Sequence, residues 1–315
     1  MPVSGNAATP PALRSRATLR QLEAFCTVAF AGSVSAAAQR LSRTQSAVSL
    51  ALQELESALG TKLFERAGRG LRQTDAARRL LPAAMELLDR AAELSTLAGD
   101  ASGSAQHLAV GASRTIGPFV MPELLADFGG AHPLVSIELV IENTEALSAR
   151  LRDLSLDAAF IEGDVLEPGL SLQPWLKDEV CLFARAGHPA PRALAQGRWA
   201  LRERGSGTRE TFLRAMRPVL GTPLIGLEAN DSLALKRLVM NGDWFGCLSR
   251  RAVAGELAYG SLIDITPRSP KLRRALTRSF WIATHPQRYR SAAVQALIAH
   301  AAKHLARRPA SAQSS

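Results

Sequence analysis

The sequence predicts an α/β protein whose N-terminal third is built mainly of short helices. Three observations carry this. Apolar residues recur at helical spacing between Leu22 and Leu59. A heptad-like row follows, Ala77, Leu81, Ala84, Leu88, Ala91 and Leu94, on a helix of about 24 residues or roughly 36 Å. From 106 onward, apolar strand-like runs alternate with helical stretches, the pattern of βαβ units and mainly parallel sheets. A chain of 315 residues is long enough for two or three such parts, each with its own core.

Residues 1–16, rich in Pro, Ala, Ser and Gly, read as a disordered lead-in without the apolar centre of a secretory signal. The first helix carries Leu22, Phe25, Cys26 and Ala29 on one stripe, opened by Thr18 as N-cap and closed by Gly32. On that stripe Cys26 reads as a small buried hydrophobe. The second helix starts at Ser35 as its cap and packs through Val34, Ala38 and Leu41. Thr44 caps the third, in which Val48, Leu52, Leu55 and Leu59 form an apolar stripe while Gln45, Ser46, Ser49 and Gln53 offer hydrogen-bonding groups. This is the layout of a helix-turn-helix, whose second helix enters the major groove and meets base edges with its N-terminal side chains. Gln suits the adenine edge, and Ser or Thr several partners. An ordinary helical hairpin with a polar outer face has the same periodicity.

Beyond Gly60 a short extended segment leads into a basic hairpin over 67–74, before a helix opens at Asp75. Arg66, Arg69 and Arg72 on that hairpin make it a wing suited to phosphates, which set register without reading sequence. The helix over 75–98 reads as a coiled-coil dimer arm or as a core helix, with Pro82 interrupting its hydrogen bonds. Residues 99–105, Gly- and Ser-rich, read as a hinge.

Charge and cysteines narrow the function. The net charge of +10 and pI near 10.5 favour an anionic partner, nucleic acid or an acidic membrane. The charge is uneven: residues 14–82 hold 11 Lys/Arg against 5 Asp/Glu, whereas 101–264 hold 16 against 19. The central region therefore has no bulk attraction for nucleic acid and needs a separate task. Three widely spaced cysteines, Cys26, Cys181 and Cys247, argue against a disulfide framework and a zinc site, and fit a reducing cytoplasm. No run of about 18 apolar residues suggests a membrane span.

In the C-terminal two thirds, strands are expected at 108–111, 136–141, 156–161, 179–184, 199–203, 222–227, 245–248 and 279–283. Helices are expected at 117–128, 144–153, 208–220, 232–241, 250–259 and 291–305. Two strand-to-helix turns, 110–117 and 204–209, place glycines and the hydroxyls of Ser113, Thr115, Ser206 and Thr208 where backbone N–H groups attract an anion, with Arg204 or Arg209 as charge partners. Helix capping uses the same residues without a ligand. Asn230, before the helix near Ser232, is a third candidate. No GxGxxG, P-loop, HExxH or GxSxG pattern occurs. His300 and His304 share a helix face that reads as solvated.

The run Leu19-Arg20-Gln21-Leu22, Gly32-Ser33, Ala37-Ala38-Gln39-Arg40-Leu41, Gln45-Ser46-Ala47-Val48-Ser49, Leu55-Glu56, Leu59-Gly60 and Leu63-Phe64-Glu65-Arg66 resembles the DNA-binding domain of LysR-type transcriptional regulators, in order and without gaps. Ser46 stands where that family usually has proline, and Asp75-Ala76-Ala77 replaces a more usual Glu-Ala-Gly. Leu50 stands where arginine or another polar residue is frequent, and its apolar side chain is suited to a thymine methyl. The resemblance implies a winged helix-turn-helix over 17–74 with Arg43, Thr44, Gln45, Ser46, Ser49, Gln53, Arg66, Arg69 and Arg72 at the DNA. It also implies a dimerising linker helix over 75–98 and, over 106–305, a two-lobed α/β effector domain similar to periplasmic solute-binding proteins. Lobe one would span 106–185 plus 266–305 and lobe two 186–265, with a disordered tail over 306–315. Ser113, Thr115, Ser206, Thr208 and Asn230 would face a small, anionic effector in the cleft. The implied protein is a cytoplasmic homodimer or homotetramer on double-stranded DNA, without a cofactor. An α/β enzyme or a solute-binding protein using the same cleft is the other reading.

Overall fold

The structure, a computed structural model, describes residues 17–67, 70–97, 106–163, 168–188 and 194–307. The expected lead-in, the hinge, Arg69 of the wing and residues 308–315 of the expected tail lie outside the described residues. Residues 306 and 307, also assigned to the tail, continue the last helix instead. The chain forms two compact units, 1–94 and 95–315.

The first unit contains α1 (Leu19–Ala31), α2 (Val34–Arg40), α3 (Gln45–Leu59), β1 (Phe64–Ala67), β2 (Gly70–Gln73) and α4 (Asp75–Leu97). A capping box opens α1: the Thr18 hydroxyl accepts from Gln21 N, and Gln21 Oε1 accepts from Thr18 N at 2.9 Å. The cap of α2 is Ser33, not Ser35. Ser33 has the extended backbone a cap requires and accepts from Ala36 N at 3.2 Å, whereas Ser35 is already helical. Ala37 and Ala38 bury that helix, and Leu41 is only half-buried. On α3, Val48, Leu52 and Leu55 are buried but Leu59 is 40% exposed, because the helix ends there at the left-handed Gly60.

The wing is an antiparallel hairpin, with Phe64 opposite Gln73. Two bonds fasten it to the helices: Leu71 N donates to Gly32 O at 2.9 Å, and Gln73 Nε2 donates to Ala29 O at 3.1 Å. A third anchor comes from Glu56, a buried carboxylate near the end of α3. It accepts from Leu63 N at 2.8 Å and from Lys62 Nζ at 2.6 Å, so the strand leaves the helix in a set direction. Helix α4 continues through Pro82. The heptad row expected along it is divided. Ala77, Leu81 and Ala84, with Met85, are already buried, Leu88 and Ala91 are half-buried, and Leu94 is 67% exposed, as is Leu87 beside the row at 52%.

The second unit begins with β3 (Gln106–Ser113), α5 (Ile116–Phe119), α6 (Met121–Ala131), β4 (Val135–Glu142), α7 (Thr144–Arg152), β5 (Ala158–Glu162) and β6 (Ser171–Arg185). It continues with a 3-10 turn (Leu194–Gln196), β7 (Arg198–Arg202), α8 (Gly207–Leu220), β8 (Leu224–Ala229), α9 (Ser232–Met240) and β9 (Phe245–Ser249). Last come α10 (Arg250–Ala258), β10 (Leu262–Asp264), α11 (Pro270–Leu276), β11 (Thr277–Thr284) and α12 (Ala292–Arg307). Strand order is β4-β3-β5-β11-β6-β9-β7-β8, with β10 also on β6. The sheets are mixed rather than mainly parallel. The pairs β3–β4, β3–β5, β7–β8 and β7–β9 are parallel, and every pair made by β6 or β11 is antiparallel. The reason is connectivity: β6 crosses from one lobe to the other, and β11 returns beside it.

Residues 171–179 of β6 pair with β11, and from Val180 the strand pairs with β9 and β10. Residues 180–185, expected in lobe one, thus belong to the second lobe's sheet. The helix expected over 117–128 is broken at Val120, just before Pro122 enters the first turn of α6. The sequence reading had no counterpart for β10 and α11.

Helices cover both faces of each lobe. Phe128, Phe160, Trp175 and Phe280 fill one side of the first sheet and Leu147, Leu151 and Ile161 the other. Trp199, Phe212 and Phe245 fill one side of the second, and Phe183, Leu235 and Leu248 the other. His300 is not on a solvated face: it is half-buried, edge-on to Phe128 with ring centroids 5.6 Å apart. All three cysteines are buried and none is in a disulfide, and burial pushes the Cys181 thiol up to about 12. Among the described residues no helix is long and apolar enough to cross a membrane.

Burial works against the Glu56 charge, but its bonds from Lys62 and Leu63 outweigh it and hold the carboxyl below the ordinary value of 4.5. A depressed acid stabilises the fold above its unfolded value and loses that contribution as pH falls through the folded one. Acid unfolding of the helix-and-wing unit, followed by circular dichroism of the full chain, should therefore steepen below pH 4.5. In Glu56→Gln the same unit should start less stable and show a shallower acid slope.

Candidate functional site

Two groups of polar side chains are candidates, one in each unit. On the first unit, Arg43, Thr44, Gln45, Ser46 and Gln53 are exposed and Ser49 is half-buried. Thr44 caps α3, accepting from Ala47 N at 3.2 Å, and its hydroxyl lies 3.1 Å from Ser46 Oγ. Arg43 Nη2 is 3.6 Å from Glu23 Oε2, which holds the guanidinium beside α1. On the wing Arg66 is exposed, and Arg72 donates to Glu65 at 3.1 Å. Both members of that pair are well solvated, with side chains 70% and 57% exposed, so the bond is weak and exchanges readily for a phosphate.

The second group closes the cleft between the lobes of the effector unit. Three of the expected anion donors are already in use. The hydroxyls of Thr115 and Thr208 donate to Glu162 Oε1 at 3.1 and 3.0 Å, and Ser113 donates to Glu162 Oε2 at 3.0 Å. Arg278 Nη2 lies 3.2 Å from Oε2 as an ion pair. Arg278 also donates through Nε to Asp178 at 2.8 Å and through Nη1 to Thr208 Oγ1 at 2.9 Å, while Ser249 donates to Asp178 at 2.7 Å. Glu162, Asp178 and Arg278 are all at most 5% exposed. Burial, with Glu162 nearby, pushes the Asp178 carboxyl up despite Arg278 and Ser249. Burial works against the Arg278 charge as well, but Glu162 and Asp178 outweigh it and hold the proton on the guanidinium.

Capping explains only one of the four hydroxyls: Ser113 Oγ also accepts from Ile116 N at 3.1 Å, while Thr115 and Ser206, at the helix starts, make no side-chain cap bond. Ser206 is 1% exposed, and its hydroxyl has no hydrogen-bond partner. Its backbone N–H donates to Glu203 O, and Glu203 Oε1 lies 3.7 Å from Arg114 Nε, a second buried donor without a hydrogen bond. Glu203 itself receives both arms of the buried Arg202, at 2.7 and 2.9 Å. The corner formed by Arg114, Arg202 and Glu203 carries one net positive charge. Arg209 is buried and bonded to Glu228 and to Arg202 O, so it is no charge partner for a cleft anion. Arg204 and Asn230 are both exposed.

Backbone contacts tighten the closure. Gly207 opens α8 directly against β5, where a Cβ would collide with the Glu162 carbonyl. Asn143 caps α7 and donates through Nδ2 to Arg204 O at 3.3 Å, and Glu145 N donates to Gly205 O at 3.3 Å. Glu162, Asp178 and Arg278 escaped the sequence reading, yet each stands one residue outside an expected strand, after 156–161, before 179–184 and before 279–283. A charged residue abutting an apolar run was the available signal. Among the described residues no group of three or more His, Cys, Asp or Glu is placed to hold a metal.

Arg278→Met leaves two buried carboxylates facing each other and should cost about 3–5 kcal/mol, read as a lowered melting temperature of the effector unit. Adding Glu162→Gln to that variant should recover part of the loss. A double variant no better than the single one would contradict the ion-pair account.

Residues 19–78 match the family "Bacterial regulatory helix-turn-helix protein, lysR family", and residues 101–306 match "LysR substrate binding domain". The chain is 36% identical over 287 residues to the uncharacterized HTH-type transcriptional regulator YeiE of Escherichia coli K12, covering 89% of this chain and 96% of that one. It is 30% identical over 271 residues to the HTH-type transcriptional regulator CysL of Bacillus subtilis, covering 81% and 88%. A full-length OxyR variant from Pseudomonas aeruginosa shares the fold, with a TM-score of 0.68 at 24% identity over 90% of this chain and 94% of that one. Helix-turn-helix with wing, linker helix and two-lobed effector-binding domain together place the chain in the LysR family of transcriptional regulators.

Proposed function

We propose that the cleft of this regulator takes a small oxyanion that competes with Glu162, and that this competition sets the grip of the recognition helices on an operator. The observation that carries it is a buried donor set, contributed by both lobes, already holding a carboxylate beside two donors without a hydrogen bond, Ser206 Oγ and Arg114 Nε. An anion at the positive corner of Arg114 and Arg202 meets the free N–H groups at the start of α8. There it gives Ser206 a partner and draws Thr208 away from Glu162. Because Glu162 bridges the lobes, any change in its bonds alters how the lobes meet, and a ligand that prefers one arrangement shifts the population toward it. Asn230, exposed at the mouth, and the hydroxyls of Ser113, Thr115, Ser206 and Thr208 are the remaining candidates for effector contact. Enzymatic use of the cleft is disfavoured by the same geometry, since three hydroxyl donors and a guanidinium already occupy the two oxygens of Glu162.

At the DNA, Gln45, Ser46, Ser49 and Gln53 meet base edges while Arg43, Arg66, Arg69 and Arg72 meet phosphates. Two copies joined along α4, through the exposed Leu87 and Leu94, present two recognition helices to two half-sites. Such a protein works where the chromosome is, in the cytoplasm.

Binding to a duplex from the protein's own promoter should weaken steeply with salt as counterions are released. Gln45→Ala should cost about 1–3 kcal/mol on that duplex and little on random DNA. Arg66→Ala should weaken both alike and lower the salt slope by about one. Equal profiles for the two variants in fluorescence anisotropy would refute the division of roles.

For the effector, thermal shift of the full chain with sulfate, phosphate and small carboxylates should reveal a stabilising anion. Its apparent affinity should fall about tenfold or more in Ser206→Ala or Arg114→Ala, the size of a lost charge-assisted hydrogen bond. Glu162→Gln, which removes the competing charge, should bind the anion more tightly. No shift with any anion in either the wild type or Glu162→Gln would sink the oxyanion reading.

A further inference from the structure

We propose that Leu50 reads the C5-methyl group of a thymine in each operator half-site, so that one position of the operator is chosen by an apolar contact. The inference rests on α3 being the helix that enters the major groove. At about 100° per residue, the directions of the buried Val48, Leu52 and Leu55 average to one side of α3, and Leu50 points within roughly 15° of the opposite direction. It therefore stands at the centre of the outward face, flanked one turn away by Ser46 and Gln53, and it is 56% exposed. Apart from the short methyl of Ala47, the other side chains on that face, Ser46, Gln53, Glu54 and Ser57, are polar. An exposed leucine elsewhere on a protein requires no explanation. Here it occupies the sixth position of a recognition helix, where side chains reach base edges, and the only apolar group that base pairs display in the major groove is the thymine methyl. A serine or arginine at this position would meet donors and acceptors instead. Leucine there excludes water from the methyl group and leaves no polar group of its own unpaired.

The test uses the full chain. Sites are enriched from randomised duplex DNA, and each thymine of an enriched site is replaced in turn by deoxyuridine, which removes the methyl and nothing else. At the contacted position affinity should fall about fourfold per half-site, the factor that burying one methyl group supports. Other thymines should tolerate the replacement. Leu50→Ala, at an exposed position where alanine favours the helix, should bind thymine and deoxyuridine duplexes equally. Leu50→Met, which keeps an apolar side chain of similar reach, should retain the preference. Insensitivity of the wild type to every replacement, or an unchanged thymine-to-deoxyuridine ratio in Leu50→Ala, overturns the proposal. Failure to enrich any site overturns the DNA reading beneath it and is distinguished by the absence of a selected sequence.

Discussion

A carboxylate removed from water holds the effector unit together. Glu162 sits at the end of β5 and is met by hydroxyls from the β3–α5 turn of one lobe and from α8 of the other, with the Arg278 guanidinium closing the ring. Burying an ion costs several kcal/mol unless its surroundings replace what water supplied. Here three hydroxyls and one positive charge stand in place of water. Separating the lobes would leave that charge short of partners, so the cleft has a cost of opening that is concentrated at one residue. Gly207 is a consequence of the same constraint, because only a residue without a Cβ lets the start of α8 approach the Glu162 carbonyl.

The same device recurs on a smaller scale in the DNA-binding unit. Glu56 is a buried carboxylate whose two donors lie just beyond the helix that carries it. It fixes the direction in which the chain leaves α3 and thereby where the wing stands relative to the recognition helix. In both units an acidic residue positions the elements that present basic or polar groups to a partner. The molecule separates its tasks by charge: the basic excess lies on the N-terminal domain and the C-terminal segment, while the cleft is nearly balanced apart from the corner at Arg114 and Arg202.

Much of the local architecture was legible because it depends on neighbours in sequence. Thr18 and Thr44 cap the helices expected of them, Gly32 and Gly60 end them, and the wing hairpin follows from Gly70 and its flanking residues. Ser35 misled because Ser33, two residues earlier, is an equally good cap, and only the backbone angle separates them. The heptad row on α4 was legible only as a row. Periodicity reports that a helix face is apolar but not what covers it, so the buried Ala77, Leu81 and Ala84 could not be told from the exposed Leu94.

The cleft marks the limit. From sequence, Ser113, Thr115, Ser206 and Thr208 were four hydroxyls beside helix starts, equally suited to an anion or to capping. Residue types and spacing determined that donors would gather there, because glycines and hydroxyls before a helix leave N–H groups facing outward. Tertiary structure decided what they hold. Glu162 lies 46 residues from Thr208 and 49 from Ser113, and Arg278 lies 70 from Thr208, so these bonds exist only once β5, α8 and β11 converge. The fold class, the recognition helix and the exposed Leu50 on it belong to the sequence, since helical periodicity alone assigns a face. The occupied anion site, and the two donors beside it that make no hydrogen bond, belong to the packing of the two lobes, since no local pattern specifies which charge the lobes will enclose.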